Sequence, residues 1–294
     1  MVRSMILSYK ATRTINLKVP TLNDCSSDFI KLFKLSTQVD HCEDKEVIFD
    51  FSDCNFLRQN AVAFLGGLAM LIKHRGGRVE FAWHTMQCKI LRNLEQNSFV
   101  SAFNICVYGW EGNCIPYRQD FCNDIDERVV DVMNYLDDQW LGRGWVDIAT
   151  PTKNEVIQTV LELYRNAFDY SCSEIGVFTC GQHYPNIGEL RLSIVDFGVG
   201  IPHNIRRHLH QEEMLAKDAL QWAFQRGNTT RQKMSGGYGL DIITLKNFVN
   251  DKNGKIEIYS HDGQVIIAPS GEIYQQNAST FFKGTMINIS LQCV

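Results

Sequence analysis

The chain has 294 residues, a formal net charge of −4, 45% apolar residues and 21% charged residues. This balance is typical of a globular protein with two ordinary domains or one large one, and it excludes long disordered segments. The acidic balance argues against direct, strong binding to nucleic acid. No stretch approaches the roughly 20 apolar residues that cross a bilayer, and residues 1–20 lack a signal-peptide pattern. We therefore expect a cytoplasmic protein with no membrane partner.

The first part of the chain, residues 1–110, alternates between strand-like and helix-like patterns. The helix pattern at 60–77 ends at two glycines, which are a C-terminal stop signal. Alternation of this kind predicts an α/β unit in which helices cover a sheet. The strand-like runs lie at 46–51, 78–83 and 104–109, and the helix-like runs at 60–77 and 85–97.

Residues 111–145 are interpreted as a connector that carries an amphipathic helix. The segment 110–123 contains Gly112 and Pro116, which favour irregular structure. The segment 124–142 has acidic residues at its start and apolar residues at helical spacing, and it ends near Gly142.

The third part, residues 146–294, begins with a predicted helix. Thr152 and Glu155 have the spacing of a capping box, and apolar residues keep the helical period up to Ser171. A long polar segment, 203–235, separates this region from a second predicted helix at 237–250. The strand-like runs lie at 174–180, 189–200, 254–260, 264–269 and 284–291.

The first of these helices has a polar face. Glu162, Asn166 and Asp169 are four and three residues apart, so they lie on the same side of the helix. Taken alone, such a face is most simply interpreted as solvated.

The sequence Asp-Phe-Gly-Val-Gly at 196–200 directly follows a strand-like run. The carboxylate of Asp196 is a hydrogen-bond acceptor, and the exocyclic amine of adenine is a donor. Gly198 and Gly200 could remove side chains where the backbone approaches a ligand. The alternative is an ordinary tight turn.

A glycine-rich segment at 235–240 opens the second predicted helix. Backbone amides at a helix start suit phosphate, although the segment lacks the Gly-Lys-Ser/Thr of a Walker A loop. Arg231 and Lys233 precede it and could meet phosphate, or they could belong to a solvated basic loop. A last motif, Gly284-Thr285, enters the final strand.

These four motifs, in this order over about residues 150–292, resemble the GHKL ATPase superfamily, which includes DNA gyrase, heat-shock chaperones and histidine kinases. The resemblance implies a Bergerat-type α/β sandwich that holds ATP and Mg²⁺ between a mixed sheet and a lid. It implies a Mg²⁺ ligand at Asn166, adenine recognition at Asp196 and a general base at Glu162. The remaining residues of the implied nucleotide site are Gly198, Gly200, Ile201, Arg231, Lys233, Gly236, Gly237, Gly239, Leu240 and Thr285.

Residues 1–110 resemble a STAS domain, the fold of anti-sigma factor antagonists. An apolar strand, a turn and a helix follow in the order typical of that family. Arg58, Gln59 and Asn60 stand where the acidic residue and the phosphoacceptor hydroxyls would be, which puts phosphorylation in doubt. A scaffold or docking module is the interpretation that remains.

Three functions are compatible with these resemblances. The first is an ATP-driven conformational switch with slow hydrolysis, and the second is a serine/threonine kinase of the anti-sigma type. The third is an ATP sensor or assembly subunit without catalysis. The helix at 124–142 contains no histidine, which argues against autophosphorylation on histidine. We expect a protein partner, and a homodimer is compatible with the family.

Ten cysteines are scattered along the chain without a Cys-x-x-Cys pair. Buried reduced thiols are favoured over a disulfide or zinc framework.

Overall fold

The structure is a computed structural model that describes residues 13–23, 26–41, 43–104, 112–121, 125–223, 225, 228, 247, 251 and 253–293. The described helices are α1 (Ser26–Gln38), α2 (Gln59–His74), α3 (Cys88–Gln96), α4 (Phe99–Phe103), α5 (Ile125–Asn134), α6 (Thr150–Tyr170), α7 (Ile201–Leu209) and α8 (Ala216–Ala223). The described strands are β1 (Thr14–Lys18), β2 (Glu46–Asp50), β3 (Arg78–Phe81), β4 (Cys114–Asp120), β5 (Val177–Tyr184), β6 (Glu189–Asp196), β7 (Lys255–Ile267) and β8 (Ile273–Gln292).

The N-terminal part contains a three-stranded parallel sheet in the order β1-β2-β3. Helix α1 joins β1 to β2, and α2 joins β2 to β3. The predicted α/β unit is therefore present, with its strands near 46–51 and 78–83 and its helix near 60–77. The strand predicted at 104–109 lies almost wholly outside the described residues.

The second sheet has five strands in the order β4-β5-β6-β8-β7, and all its pairings are antiparallel. Its edge strand β4 lies in the segment that the sequence analysis interprets as a connector. Pro116 lies within β4, and an edge strand tolerates proline because one row of its backbone groups needs no partner. The proline that indicates a loop in the sequence is thus part of a strand in the structure.

Both faces of the five-stranded sheet are buried. Successive side chains of a strand point to opposite faces, and those of this sheet enter two different apolar clusters. Phe178, Val195 and Met286 point to the face that joins the N-terminal core. On the opposite face, Ile194 and Ile287 pack into the cluster formed with α5 and α6. The N-terminal helices and the sheet therefore share one hydrophobic core.

Several features of the second half differ from the predictions. Strand β7 covers most of both of the runs predicted at 254–260 and 264–269, and β8 begins at Ile273, well before the run predicted at 284–291. Helix α6 begins at Thr150 after Ala149, whose backbone is extended, so the predicted capping box at Thr152 is wrong. Pro151 lies in the first turn, where its missing N–H costs no hydrogen bond. The polar segment 203–235 contains most of α7 and all of α8, whose apolar sides pack together in a small cluster. The helix predicted at 237–250 lies almost entirely outside the described residues.

In the part of the chain that the structure describes, no helix is both long and apolar enough to cross a membrane. The six described cysteines are all free thiols, but only Cys54, Cys114 and Cys180 are buried as the sequence analysis expects; Cys88 and Cys172 are exposed and Cys293 is half-buried.

Candidate functional site

Helix α6 carries the polar face that the sequence predicts. Its apolar side packs on the five-stranded sheet through residues such as Val160 and Leu163. The hydroxyl of Tyr164 forms a hydrogen bond of 2.6 Å with the hydroxyl of Thr179 on β5. The buried side thus fixes the rotation of α6, which leaves Glu162 and Asn166 half-buried on the other side and Asp169 exposed.

Glu162 is paired with a residue that the sequence analysis did not assign. Its Oε1 accepts a hydrogen bond of 2.8 Å from Nη1 of Arg165, and its side chain is 43% exposed. The spacing of three residues on one helix could have revealed this pair. An exposed ion pair of this kind contributes only about 0–1 kcal/mol, so Glu162 can leave it at small cost.

Asn166 presents an amide that no described residue hydrogen-bonds. The side chain is half-buried near the centre of the polar face. An amide oxygen is a suitable ligand for Mg²⁺, which usually also keeps waters and phosphate oxygens. Among the described residues, no group of three or more His, Cys, Asp or Glu side chains could hold a metal ion by itself. The residues present fit a metal that a nucleotide would bring with it.

Asp196 ends β6 and is buried, with only 3% of its surface exposed. It faces Thr285 of β8 in the register of the sheet. The N–H of Gly198 donates to its Oδ1 at 2.9 Å, and the N–H and hydroxyl of Thr285 also donate to the carboxylate. Burial nevertheless raises the pKa of Asp196 to about 7, because the low-dielectric surroundings disfavour the charged form. Asp196 is thus a desolvated carboxyl whose pKa of about 7 leaves both the protonated and the ionised form populated near neutral pH.

Gly198 and Gly200 are required by contacts within the protein. A Cβ on Gly198 would lie 1.9 Å from the carbonyl oxygen of Ser171. One on Gly200 would lie 2.6 Å from the carbonyl oxygen of Lys283, and the φ of Gly200 is +79°. Among the described residues, these glycines therefore let the turn pack against the end of α6 and against β8. The sequence alone does not distinguish this packing role from a role in letting the backbone approach a ligand.

The turn after Asp196 is anchored to the C-terminal end of α6. The N–H of Val199 donates to the carbonyl of Ser171 at 2.6 Å. The amide of Asn204 donates to the carbonyl of Tyr170 at 2.8 Å. These bonds cap carbonyls that a helix end leaves unpaired, and they join the C-terminal end of α6 to the turn at 196–200 and to α7.

Ser260 and His261 of β7 support the same turn, and the sequence analysis missed both. Ser260 Oγ accepts from the N–H of Ile201 at 3.0 Å and donates to the carbonyl of Gly284 at 2.9 Å. His261 lies at an irregularity of the β7–β8 pairing and has a φ of +55°. No pattern in a single sequence indicates such an irregularity, since it depends on how two distant strands pair.

The imidazole of His261 is neutral and has a defined tautomer. Its Nε2 is 2.8 Å from the carbonyl of Val199, which requires a donor. Its Nδ1 is 3.3 Å from Nη1 of Arg206, which requires an acceptor. Burial lowers the pKa of His261, and the nearby Arg206 adds to that effect. The proton therefore lies on Nε2, and the pair Arg206–His261 holds the carbonyl of Val199 in place.

Of the predicted site residues, the structure brings Asp196, Gly198, Gly200, Ile201 and Thr285 together at one turn. This turn is bonded to the C-terminal end of α6, the helix that carries Glu162 and Asn166. The N–H of Ile201 is already bound by Ser260, and its side chain contacts two apolar clusters, so Ile201 supports the turn. The predicted lid residues lie outside the described residues. They are Arg231, Lys233, Gly236, Gly237, Gly239 and Leu240.

Residues 152–291 match a family model. Its description is "Histidine kinase-, DNA gyrase B-, and HSP90-like ATPase". The matched segment begins within α6 and ends within β8, so it contains all four motifs. The match supports a GHKL-type ATP-binding function for this segment. A search of curated proteins finds no match to the chain.

Proposed function

We propose that this protein is a Mg²⁺-dependent ATP-binding switch that hydrolyses ATP slowly. The observation that carries the proposal is the buried carboxyl of Asp196, held at a strand end opposite Thr285. A buried carboxyl with a strongly raised pKa is typical of a functional site. In this proposal the ionised carboxylate accepts a hydrogen bond from the exocyclic amine of adenine, and Thr285 orients it.

Two residues of α6 have roles at the other end of the nucleotide. The amide oxygen of Asn166 would coordinate the metal, and Mg²⁺ neutralises charge on the phosphates when bound. Glu162 orients a water for attack after it leaves Arg165. The lid residues Arg231, Lys233, Gly236, Gly237, Gly239 and Leu240 contact the phosphates in this proposal.

In this proposal, the turn at 196–200 connects the nucleotide site to α6 and β7. It is bonded to the end of α6 through Ser171 and to β7 through His261. A nucleotide that contacts both Asp196 and Asn166 would therefore bias the relative position of the turn and helix. We propose that this bias changes contacts with a protein partner or a second copy of the chain in the cytoplasm.

The test is ATP affinity and phosphate release for purified wild-type protein and three variants of α6. Asn166→Ala is expected to weaken Mg-ATP binding more than tenfold, because one metal ligand is lost. Glu162→Gln is expected to keep binding and lose phosphate release. The control is Gln158→Ala, an exposed amide on the same helix, which should change neither. Unchanged Mg-ATP affinity in Asn166→Ala would contradict the proposal.

A second candidate is an ATP sensor that does not hydrolyse ATP. The ion pair between Glu162 and Arg165 favours it, because a carboxylate that is bound to arginine is not free to orient a water. Arg165→Ala distinguishes the two: a sensor stays inactive, whereas a switch limited by this pair gains phosphate release. If phosphate goes to a protein hydroxyl instead, Gln59 and Asn60 cannot supply it, because both are buried and neither has a hydroxyl.

A further inference from the structure

A cavity, the hairpin pocket, lies between the two parts of the chain and has a volume of about 490 Å³. Its walls are the loop 56–58, the first turns of α3, and the tip 182–187 that joins β5 to β6. Strand β6 runs from this tip to Asp196, a distance of about 24 Å at the usual rise per residue. The hairpin pocket is therefore separate from the candidate nucleotide site.

The charges of the hairpin pocket are positive. Arg58 and Lys89 line it, and none of the lining residues that the structure describes is a carboxylate. The closest carboxylate in the register of the sheet is Glu189, which faces Tyr184. Arg191 neutralises that carboxylate through contacts of 2.6 and 2.5 Å. The local field therefore favours an anion.

The guanidinium of Arg58 is held by aromatic rings. It lies 5.0 Å from the ring centre of Phe56 and 4.2 Å from that of Tyr184. Stacking uses the faces of the guanidinium and leaves its N–H groups directed outward in its own plane. Arg58 has five N–H donors, so it can keep its other contacts and still donate hydrogen bonds to a planar or tetrahedral anion.

The rest of the wall combines apolar groups with one open polar atom. Leu57, Ile90 and Ile187 supply apolar surface. The ring of His183 stacks on Trp145 with centres 4.7 Å apart. Its buried Nδ1 has no hydrogen-bond partner among the residues that the structure describes, and burial lowers the pKa of this imidazole, which keeps it neutral.

We propose that the hairpin pocket binds a small organic anion, with its phosphate or carboxylate on Arg58 and Lys89 and its apolar body against Ile90 and Leu57. A volume of this size is typical of small-molecule sites. The site belongs to neither of the two parts alone, so an occupant joins the N-terminal unit to the β5–β6 hairpin.

The experiment measures binding of phenyl phosphate and of benzoate to the full chain by calorimetry and by thermal shift. Phenol and inorganic phosphate are the comparison compounds, because each carries only one half of the proposed ligand. We expect one of the two anions to bind with a Kd below about 1 mM and to raise the unfolding temperature. The anion that binds more tightly identifies phosphate or carboxylate as the preferred group.

Matched variants locate the site. Lys89→Glu is expected to weaken binding of the preferred anion at least tenfold, since it replaces a charge-assisted contact with repulsion. Lys34→Glu, an exposed lysine on α1, has the same change in net charge and should bind normally. Arg58→Gln should weaken binding further if it folds, and Asn166→Ala should leave binding unchanged.

Two outcomes would overturn the proposal. One is that neither phenyl phosphate nor benzoate binds below about 1 mM. The other is that Lys89→Glu and Lys34→Glu bind equally well, which would mean that the anion responds only to overall charge. Lys89 is exposed, so the comparison does not depend on whether the Arg58 variant folds.

Discussion

At the scale of single residues, Asp196 combines burial with three backbone or side-chain donors. The donors stabilise the carboxylate and burial destabilises it, and burial has the larger effect, so its pKa rises to about 7. Below that pH the group carries a proton and presents a donor. Above it the group is an acceptor.

The titration of Asp196 predicts that the preference of the site for adenine over hypoxanthine depends on pH. ATP offers an amine donor to Asp196, whereas inosine triphosphate offers a carbonyl acceptor. We expect the preference for ATP to rise as pH increases from about 6 to about 8, because the deprotonated carboxylate then dominates. Calorimetric affinities for both nucleotides check this, and their ratio cancels the titration of the shared triphosphate. Asp196→Asn should remove the pH dependence, and a constant ratio in the wild type would contradict the assignment.

Gly198 allows a second prediction about single residues. Gly198→Ala places a methyl group where Ser171 has its carbonyl oxygen, 1.9 Å away. We expect a loss of about 3 kcal/mol in the free energy of unfolding, measured in urea, together with weaker ATP binding. Gly144→Ala is the control, because its Cβ meets nothing within 4 Å and only its positive φ of +71° is strained. That variant should lose about 1 kcal/mol and keep its ATP affinity; equal losses in both would contradict the packing role.

At the scale of elements, α2 contacts the candidate site through Gly67. A Cβ on Gly67 would lie 2.2 Å from Cε2 of Phe197, the residue after Asp196. Glycine-to-alanine changes usually stabilise a helix by about 1 kcal/mol. Here we expect Gly67→Ala to destabilise the protein by about 1–3 kcal/mol and to weaken ATP binding, because Phe197 must move.

A double-mutant cycle separates this contact from other effects of Gly67→Ala. Phe197→Leu shortens the side chain that the new methyl group meets, so the double variant should regain stability relative to the sum of the single changes. Urea unfolding and ATP calorimetry give both readouts. Additive losses would mean that α2 and the turn at 197 are not coupled.

The elements differ in how far the sequence could predict them. Strands β5, β6 and the C-terminal part of β8 were identifiable because they contain short apolar runs next to glycine. The first part of β8, residues 273–283, was missed because it is mostly polar and exposed. Helices α7 and α8 were missed because each is short and the surrounding segment is polar. Their apolar residues meet only in a small cluster. Strand β4 was missed because Pro116 indicates a loop unless the neighbouring strand is known.

The residues of the candidate site also differ in whether the sequence could predict them. Glu162, Asn166, Asp196 and Thr285 were predictable because their order along the chain carries the resemblance. His261 was not, since its contact with Val199 joins residues 62 positions apart. Local patterns identify the groups that meet a ligand, whereas the groups that hold those residues in place depend on tertiary packing.

At the scale of the whole molecule, the N-terminal unit is joined to the five-stranded sheet by buried polar contacts as well as by the shared core. Gln59 is 4% exposed. Its amide donates to Ser193 at 3.2 Å, and it accepts from the hydroxyl of Tyr184 at 2.8 Å. Ser193 in turn donates to Asn288 at 2.7 Å. Gln59, which the sequence analysis compares with the phosphoacceptor position of STAS domains, therefore joins the two parts in this structure.

This arrangement predicts that the two parts unfold together. We expect one calorimetric transition for the full chain, because separating the units would expose Phe178, Val195 and Met286 to water. Gln59→Met keeps the side-chain volume and removes two hydrogen bonds, so it should lower the free energy of unfolding by about 1–3 kcal/mol without splitting the transition. Gln38→Met, an exposed change at the end of α1, should have little effect. Two resolved transitions, with Gln59→Met shifting only one, would mean that the units are independent and that ATP binding cannot act on the N-terminal unit through their common core.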